Sequence, residues 1–468
     1  MAVAAMRAHP GSGLIPVGFI DDDPAKQGTR IDDLPVMGGR DEIPRALTRS
    51  GADEILIALP SVHGAVIRQI VETCRAHRVR FRIVPGIWEI IRGDVKIEQI
   101  RKTEPEDLLG RETVEPDMEL VAPAYRGKRI LVTGAGGSIG RELARQVLAL
   151  GPQSLVLLGR GENSLFETEL ALRHMETGPK PKLALVNLRD TPAMRRAFEW
   201  ARPDVVLHAA AHKHVSFMQQ YPEEAVVNNI LATRDLIDAA ESVGTGRFVM
   251  LSTDKAVNPR SVMGASKRVA ELLLSERTAR GSSTRFMTVR FGNVLGSRGS
   301  VVPLFLHQIA AGGPVTVSDP RAARYFMTVK EAGMLVLEAG ALGEGGEIFI
   351  LDMGEQIPIL ELARDLIILQ GLRPEEDVAI RVIGLSPGEK LREELVHAFE
   401  ELTPTRVPKI RAARWTGERG TAVEAALPGL EALARAADRP GIVAALEALL
   451  PEARLAQPED RAPEPGGN

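Results

Sequence analysis

From residue 129 to residue 290 the chain repeats one pattern, a short apolar run followed by a longer stretch with the spacing of an amphipathic helix. Candidate strands fall at 129–133, 154–158, 182–187, 204–208, 247–251 and 286–290. Runs that are apolar at nearly every position suit strands buried on both faces. Strands joined through helices must return to the same end of the sheet, so these units build a parallel sheet with helices on both sides. The expected fold class is α/β, a doubly wound parallel sheet. Beyond Gly296 the alternation loosens into scattered helices and short strands, as expected of a smaller carboxy-terminal substrate lobe.

Such a sheet binds ligands at the carboxyl ends of its strands, and the motifs lie there. Thr133-Gly134-Ala135-Gly136-Gly137-Ser138-Ile139-Gly140 follows the first strand and opens a helix through Leu150. Gly134, Gly137 and Gly140 give a tight turn, a close backbone approach to a pyrophosphate and a close helix–strand contact. Ser138 and Ile139 stand at the helix amino terminus, which favours negative charge. With a strand before and a helix after, this is the fingerprint of a Rossmann-type sheet, and the expected cofactor is NAD or NADP. Arg160, after the second strand, suits a 2′-phosphate, while Glu162 lies close enough to serve a free ribose hydroxyl, so both forms stay open. Asn187 and Leu188, ending the third strand, would flank the adenine. After the fourth strand, Ala209 and Ala210 let the chain run close beneath a cofactor, with Lys213 beside them and Asn229 in the next helix ordering the loop. The basic run His208 to His214 holds no carboxylate or cysteine, and no metal is expected there.

At 468 residues the chain exceeds one ordinary core and reads as several domains. Residues 1–118 read as a small α/β unit with strands at 17–20, 54–58 and 81–84 and a helix at 62–77. It reads as incomplete, because the alanine-rich helix expected at 1–9 has no strand or glycine turn before it. Residues 119–128 read as a linker, 129–295 as the dinucleotide-binding core and 296–410 as a substrate lobe interleaved with it. Residues 411–456 read as a helical extension and 457–468, rich in Pro, Glu and Gly, as a disordered tail. Asp21, Asp22 and Asp23 read as a solvated turn in preference to a ribose contact. A net charge of −4 leaves no basic surplus for nucleic acid. The single Cys74 excludes an internal disulfide, and no apolar run reaches the roughly 18 residues of a membrane helix. A soluble cytoplasmic chain is expected.

The fifth strand is followed directly by Ser252-Thr253-Asp254-Lys255, and the next helix carries Met263-Gly264-Ala265-Ser266-Lys267. Positions 263 and 267 share a helical face. An ordinary short-chain dehydrogenase has tyrosine at the first of these as its proton carrier, with lysine one turn on. The thioether of Met263 exchanges no proton at neutral pH, so another group must do the acid–base work. Asp254 and Lys255 supply a carboxyl and an amine side by side at a strand end, where burial and mutual interaction tune both.

The ordered set of motifs resembles the bacterial polysaccharide-biosynthesis nucleotide-sugar dehydratases of the extended short-chain dehydrogenase/reductase class. The likeness is to the large, membrane-tethered UDP-N-acetylglucosamine 4,6-dehydratases in particular, here without their membrane helices. The matching segments are TGAGGSIG at 133–140, HAAAHKHV at 208–215, STDKAVNP at 252–259, MGASK at 263–267, RFGNVLGSRGSVVP at 290–303 and RYFMT at 324–328. The resemblance implies a UDP-sugar substrate, polysaccharide or glycan precursor synthesis, and a tightly bound, recycled cofactor. It implies that hydride leaves C4 of the sugar and returns at C6, that Lys255 removes the C5 proton, and that Asp254 protonates the departing C6 hydroxyl. Thr253 would bond the C4 hydroxyl, Lys267 would polarise the site and hold the cofactor, and Met263 would pack where tyrosine otherwise stands. His214, Asn293, Ser297 and Arg298 would reach the substrate near its diphosphate, and Arg324 and Lys390 would close over the uridine. His212 and Gly159 depart from the family pattern. If the natural chain is longer, it would sit at the inner face of the membrane. A homo-oligomer is expected, as symmetric assembly is common among such enzymes.

Two other readings compete. A nucleotide-sugar 4-epimerase or reductase on the same fold needs a proton carrier near C4 and has no use for an acid–amine pair at C5 and C6. A non-catalytic dinucleotide sensor has no use for the pair or for Lys267.

Overall fold

A computed structural model describes residues 15–58, 116–175, 178–370, 372–415 and 423–455, together with 3, 6, 7, 66, 69, 70, 73, 74, 76, 77 and 79–83. The helices expected at 1–9 and 62–77 fall mainly outside these residues, and the tail at 457–468 falls wholly outside. The chain divides into two compact units, Met1–Thr113 with Leu304–Thr316 and Glu361–Arg381, and Val114–Pro303 with Val317–Leu360 and Val382–Asn468. Two segments of the range expected for the substrate lobe thus belong to the first unit.

The second unit is built on one sheet. Its strands are β1 (Arg129–Thr133), β2 (Ser154–Gly159), β3 (Lys182–Leu185), β4 (Val205–His208), β5 (Arg247–Leu251), β6 (Arg285–Arg290), β7 (Ile348–Leu351), β8 (Glu400–Pro404) and β9 (Ile410–Trp415). They lie in the order β8-β9-β7-β6-β5-β4-β1-β2-β3. The first seven run parallel, with Leu131 opposite Val156 on one side and Val206 on the other. The chain moves outward from β1 through β2 to β3, then returns to place β4 on the other side of β1. That reversal opens a crevice at the carboxyl ends of β1 and β4.

All six expected strands are present, and three more join them. β7 continues the parallel order, whereas β8 and β9 pair antiparallel at the edge. Their sequences, EELTP and IRAARW, carry few large apolar residues, because an edge needs burial on fewer sides. Pro404 is tolerated there for the same reason. β9 therefore occupies the start of a range expected to be helical.

Side chains alternate across the sheet and fill two cores. Leu131, Val156, Leu158, Val206, Phe248, Met250 and Phe286 face one cluster; Ile130, Val132, Leu155, Leu157, Leu207, Val249 and Val289 face the other. The stretch expected as a linker holds helix α1 (Met118–Tyr125). Asp117 caps it through Leu120 N at 3.1 Å, and buried Tyr125 donates to Leu337 O at 2.8 Å. Two carboxy-terminal helices, Val423–Arg435 and Arg439–Leu449, bury Leu427, Leu430, Ile442 and Leu446 in the first cluster.

The first unit, taken by itself, pairs strands Glu54–Ile57 and Arg80–Ile83 in parallel. Ile43, Ile57, Ile70 and Cys74 form its buried cluster, with Ile368 packed against it. The acidic trio is tied into a turn, with Asp21 Oδ2 2.9 Å from Lys26 Nζ and Asp22 accepting from Arg40 N at 2.7 Å. Among the described residues no helix is long and apolar enough to cross a membrane.

Candidate active site

The glycine turn follows β1 directly. Gly134 adopts φ +65°, and a Cβ there would stand 2.7 Å from Ala210 N, so neither a left-handed backbone nor the close neighbour tolerates a side chain. Helix α2 (Ser138–Ala149) starts at Gly137 in extended conformation with no side-chain cap. Its first-turn N–H groups are left to an outside acceptor. A Cβ on Gly140 would stand 2.2 Å from Gly134 O. The turn and the helix thus touch through backbone alone, and the cradle they form fits a dinucleotide pyrophosphate. Ile139 is half-buried beside it, and Ala209 N donates to Thr133 O at 3.2 Å.

Other expected cofactor contacts line the same edge. Arg160 and Glu162 are exposed after β2, and Asn187 is exposed with its Oδ1 accepting from Arg189 N at 3.2 Å. Leu188 is buried. The imidazoles after β4 go separate ways. His208 is buried and shares hydrogen bonds with Thr133 Oγ1 at 2.7 Å and Thr233 Oγ1 at 3.3 Å. Burial, helped by the Lys267 charge, lowers it to about 3, so it stays neutral. His212 faces Arg189 at 3.1 Å, and His214 starts the next helix with its ring against Gly299.

Asn229 binds both backbone groups of one loop residue, accepting from His212 N at 2.8 Å and donating to His212 O at 3.0 Å. Its amide also donates to Ser266 Oγ at 3.0 Å. It sits in a π-helical segment, Val226–Leu231, of the sort that often marks functional sites.

At the end of β5 the chain turns through a short 3₁₀ helix, Asp254–Ala256, and after Ser261 enters helix α3 (Val262–Ala279), which that serine caps at 3.1 Å. A Cβ on Gly264 would stand 2.1 Å from Lys255 O, so the helix presses directly on the turn. Lys255 Nζ donates to Asp254 Oδ1 at 3.0 Å and to Asn293 Oδ1 at 3.2 Å, and Thr253 Oγ1 donates to the same Asp254 oxygen at 2.9 Å. Asp254 is fully buried, and its second oxygen has no hydrogen-bond partner among the described residues. Burial alone would weaken the Lys255 proton, but the Asp254 and Glu393 carboxylates outweigh it and raise the amine above its ordinary range. Met263 and Lys267 are both buried on α3. Burial lowers Lys267 to about 8, against a smaller opposing pull from Glu271.

The expected substrate residues divide. Asn293 meets Lys255. Ser297 and Arg298 instead stand beside the dinucleotide cradle: Lys213 Nζ donates to Ser297 Oγ at 3.4 Å, Arg298 N donates to Ser138 Oγ at 3.1 Å, and the Arg298 guanidinium pairs with Glu167. Arg324 is buried, donating to Ala323 O at 2.9 Å and Leu391 O at 3.0 Å. Lys390 donates to Val257 O at 2.7 Å. Both are engaged by the protein itself.

Two features escaped the sequence reading. Glu393 reaches within 3.5 Å of Lys255 Nζ from a distant segment. Beneath the site, Glu271 accepts from Ser252 Oγ, Arg268 and Arg290, and Arg290 also pairs with Glu400, all fully or nearly buried. Only the apolar-to-charged breaks at Arg268, Glu271 and Arg290 within buried elements signalled it.

Residues 130–414 match the family described as polysaccharide biosynthesis protein, and residues 1–85 match a CoA-binding domain. The chain is 44% identical over 398 residues to the capsular polysaccharide biosynthesis protein CapD of Staphylococcus aureus, covering 84% of this chain and 65% of that one. It thus spans just under two thirds of that relative's length. It is 32% identical over 276 residues to a UDP-N-acetylglucosamine 4,6-dehydratase (inverting) of Campylobacter jejuni, covering 58% of this chain and 78% of that one. It is 33% identical over 279 residues to a UDP-glucose 4-epimerase of Rickettsia rickettsii, covering 58% and 79%. Among solved structures, Pen from Bacillus thuringiensis superimposes with a TM-score of 0.57 at 34% identity, covering 64% of this chain and 93% of that one.

Proposed function

The chain belongs to the polysaccharide biosynthesis protein family, and on that footing we propose that it is an NAD(P)-dependent nucleotide-sugar 4,6-dehydratase acting on UDP-N-acetylglucosamine or a close UDP-sugar. Identity alone does not choose between dehydratase and epimerase, since relatives of both kinds match almost equally. The observation that carries the choice is the Asp254–Lys255 pair, 3.0 Å apart at the carboxyl end of β5, with Met263 where a proton-carrying tyrosine would otherwise stand.

Gly134, Gly137, Ser138, Ile139 and Gly140 would hold the pyrophosphate, and Lys267 the nicotinamide ribose. When bound, the nicotinamide supplies a hydride acceptor that gives back what it takes. Lys255 removes the proton from C5, which is acidic once C4 is a ketone. Asp254 protonates the C6 hydroxyl, which leaves as water. The ion pair already holds what both steps need: one proton passing from Lys255 to Asp254 makes a neutral amine and a carboxylic acid with no change in total charge. Thr253 bonds the C4 oxygen, whose proton leaves through that hydroxyl to solvent as C4 becomes a ketone. The Lys255 ammonium returns a proton to C5 once C6 is reduced, and one proton regained from solvent restores the starting pair.

The test is product analysis by mass spectrometry after the full chain meets UDP-N-acetylglucosamine with NAD and, separately, NADP. A sugar lighter by one water is expected. Unchanged mass with altered configuration at C4 would establish an epimerase, and dinucleotide binding with no turnover of any UDP-sugar would establish a sensor.

A further inference from the structure

The Lys255 amine meets three oxygens from three separate stretches of chain: Asp254 Oδ1 at 3.0 Å, Asn293 Oδ1 at 3.2 Å and Glu393 Oε1 at 3.5 Å. Two of these contacts are hydrogen bonds and the third is an ion pair, so the amine is held from three sides. Asp254 is its chain neighbour and Asn293 was already a candidate contact. Glu393 has no such explanation.

Its side chain is 2% exposed, and its second oxygen has no hydrogen-bond partner among the described residues. A carboxylate so buried is costly unless a cation faces it. Among the described residues the cations that do are Lys255 and, at 3.9 Å, the Arg324 guanidinium. The segment bearing it is fastened at three successive points. Lys390 Nζ holds Val257 O at 2.7 Å, Leu391 O accepts from Arg324 at 3.0 Å and from Ala323 N at 2.9 Å, and Glu393 O accepts from Gln356 at 2.8 Å. Arg324 and Lys390 thus serve to bring one carboxylate to one amine.

We infer that Glu393 is a positioning residue for Lys255, holding the amine beside Asn293 while Asp254 exchanges its proton, and carrying the counter-charge of the ammonium that proton removal from the sugar creates. This rests on the dehydratase reading for its chemistry. Among the described residues the charged groups facing the amine are Asp254, Glu393 and Arg324, of which the first two favour the ammonium and the third opposes it. Neutralising Glu393 therefore leaves the lysine easier to deprotonate but less able to take and keep the sugar proton.

Competitive acetylation of Lys255 across pH, read by peptide mass spectrometry on the full chain, gives the titration midpoint of the amine whether or not the chain turns over. Glu393→Gln is expected to lower that midpoint by about one pH unit. It is also expected to lower kcat about tenfold to a hundredfold with KM changed less than about threefold, and to move the acid limb of the kcat profile the same way as the midpoint. Glu393→Asp, which keeps the charge but withdraws it, is expected to restore part of the midpoint, and it serves as the measured variant if the glutamine chain does not fold. A midpoint unmoved by either substitution, or a loss confined to KM, overturns the inference. A native chain that releases no dehydrated sugar overturns the reaction proposed above, and the labelling midpoint still decides the role of Glu393.

Discussion

Ser252 Oγ donates to Glu271 Oε1 at 2.6 Å, which fastens the residue before the acid–base turn to a buried ionic cluster. Glu271 also receives Arg290 at 2.6 Å and Arg268 at 3.0 Å, and all three side chains are fully buried. Removing one member of such a cluster leaves an uncompensated charge. Glu271→Gln is expected to cost about 3 kcal/mol or more, read as a lower urea midpoint. Burial alone would raise this carboxyl, yet Arg290 and Arg268 hold it at about 2 against an ordinary 4.5. The folded state therefore binds the proton more weakly than the unfolded one. The stabilisation is complete above about pH 4.5 and drains away as pH falls toward about 2. The glutamine variant should lack that part of the acid transition; an unchanged acid profile would mean that Glu271 is not the group responsible.

Lys255→Ala is expected to abolish dehydration, by about a thousandfold or more, because no other amine touches the Asp254 carboxylate in the described residues. Dinucleotide binding should survive, since the cradle around Gly134 is built without Lys255. Product yield and fluorescence titration with NADH measure the two effects separately, and unchanged turnover refutes the proposed base.

Gly140→Ala adds one methyl where a Cβ meets Gly134 O at 2.2 Å. The obstacle is backbone on both sides, so α2 or the turn must move. A loss of about 1–3 kcal/mol is expected from the overpacking, with NADH affinity weakened about tenfold or more because the first-turn N–H groups shift away from the pyrophosphate. Wild-type affinity in this variant would show that the dinucleotide does not use this turn.

Lys267 lies at about 8, pulled down from an ordinary 10.5 chiefly by burial. Because the folded chain holds this proton less tightly than the unfolded chain, the buried charge costs stability below about pH 8, and that cost fades between about 8 and 10.5. In the folded chain the ammonium that would hold the nicotinamide ribose is lost around pH 8. NADH affinity of the free chain is expected to fall severalfold from pH 7 to pH 9.5, and Lys267→Met should show weak affinity with no such slope. A native profile that stays flat to pH 9.5 would place Lys267 outside the cofactor contacts.

The parallel sheet was legible because strands buried on both faces are apolar almost continuously, and because the glycine turn stands immediately after the first of them. β8 and β9 were not, since an edge strand such as EELTP carries no run to read. The stretch expected as a linker at 119–128 holds a helix that was not legible, for a related reason. Pro123 reads as a breaker, yet α1 accommodates it, with Tyr125 anchored on Leu337 O far along the chain. Asp254, Lys255, Met263 and Lys267 could be picked out because they sit at a strand end and one helical turn apart. Glu393 could not be, because its place beside Lys255 depends on ties such as Lys390 to Val257, 133 residues apart. The same long-range ties turned Arg324 and Lys390 inward, which no local pattern signals.

Met263 is the residue on which the proposed division of acid–base work turns. It is 3% exposed and belongs to the apolar cluster under the sheet, so its role in the fold is packing. If packing is also its whole role at the site, Met263→Leu, which nearly conserves volume, should cost less than about 1.5 kcal/mol and leave kcat within about threefold. A thioether that contributed to proton movement could not be replaced this way. The comparison is made on dehydrated product at saturating UDP-N-acetylglucosamine, with thermal unfolding as the control for integrity. A folded leucine variant that makes no product would assign the sulfur a part in the chemistry, and the acid–base pair alone would no longer account for turnover.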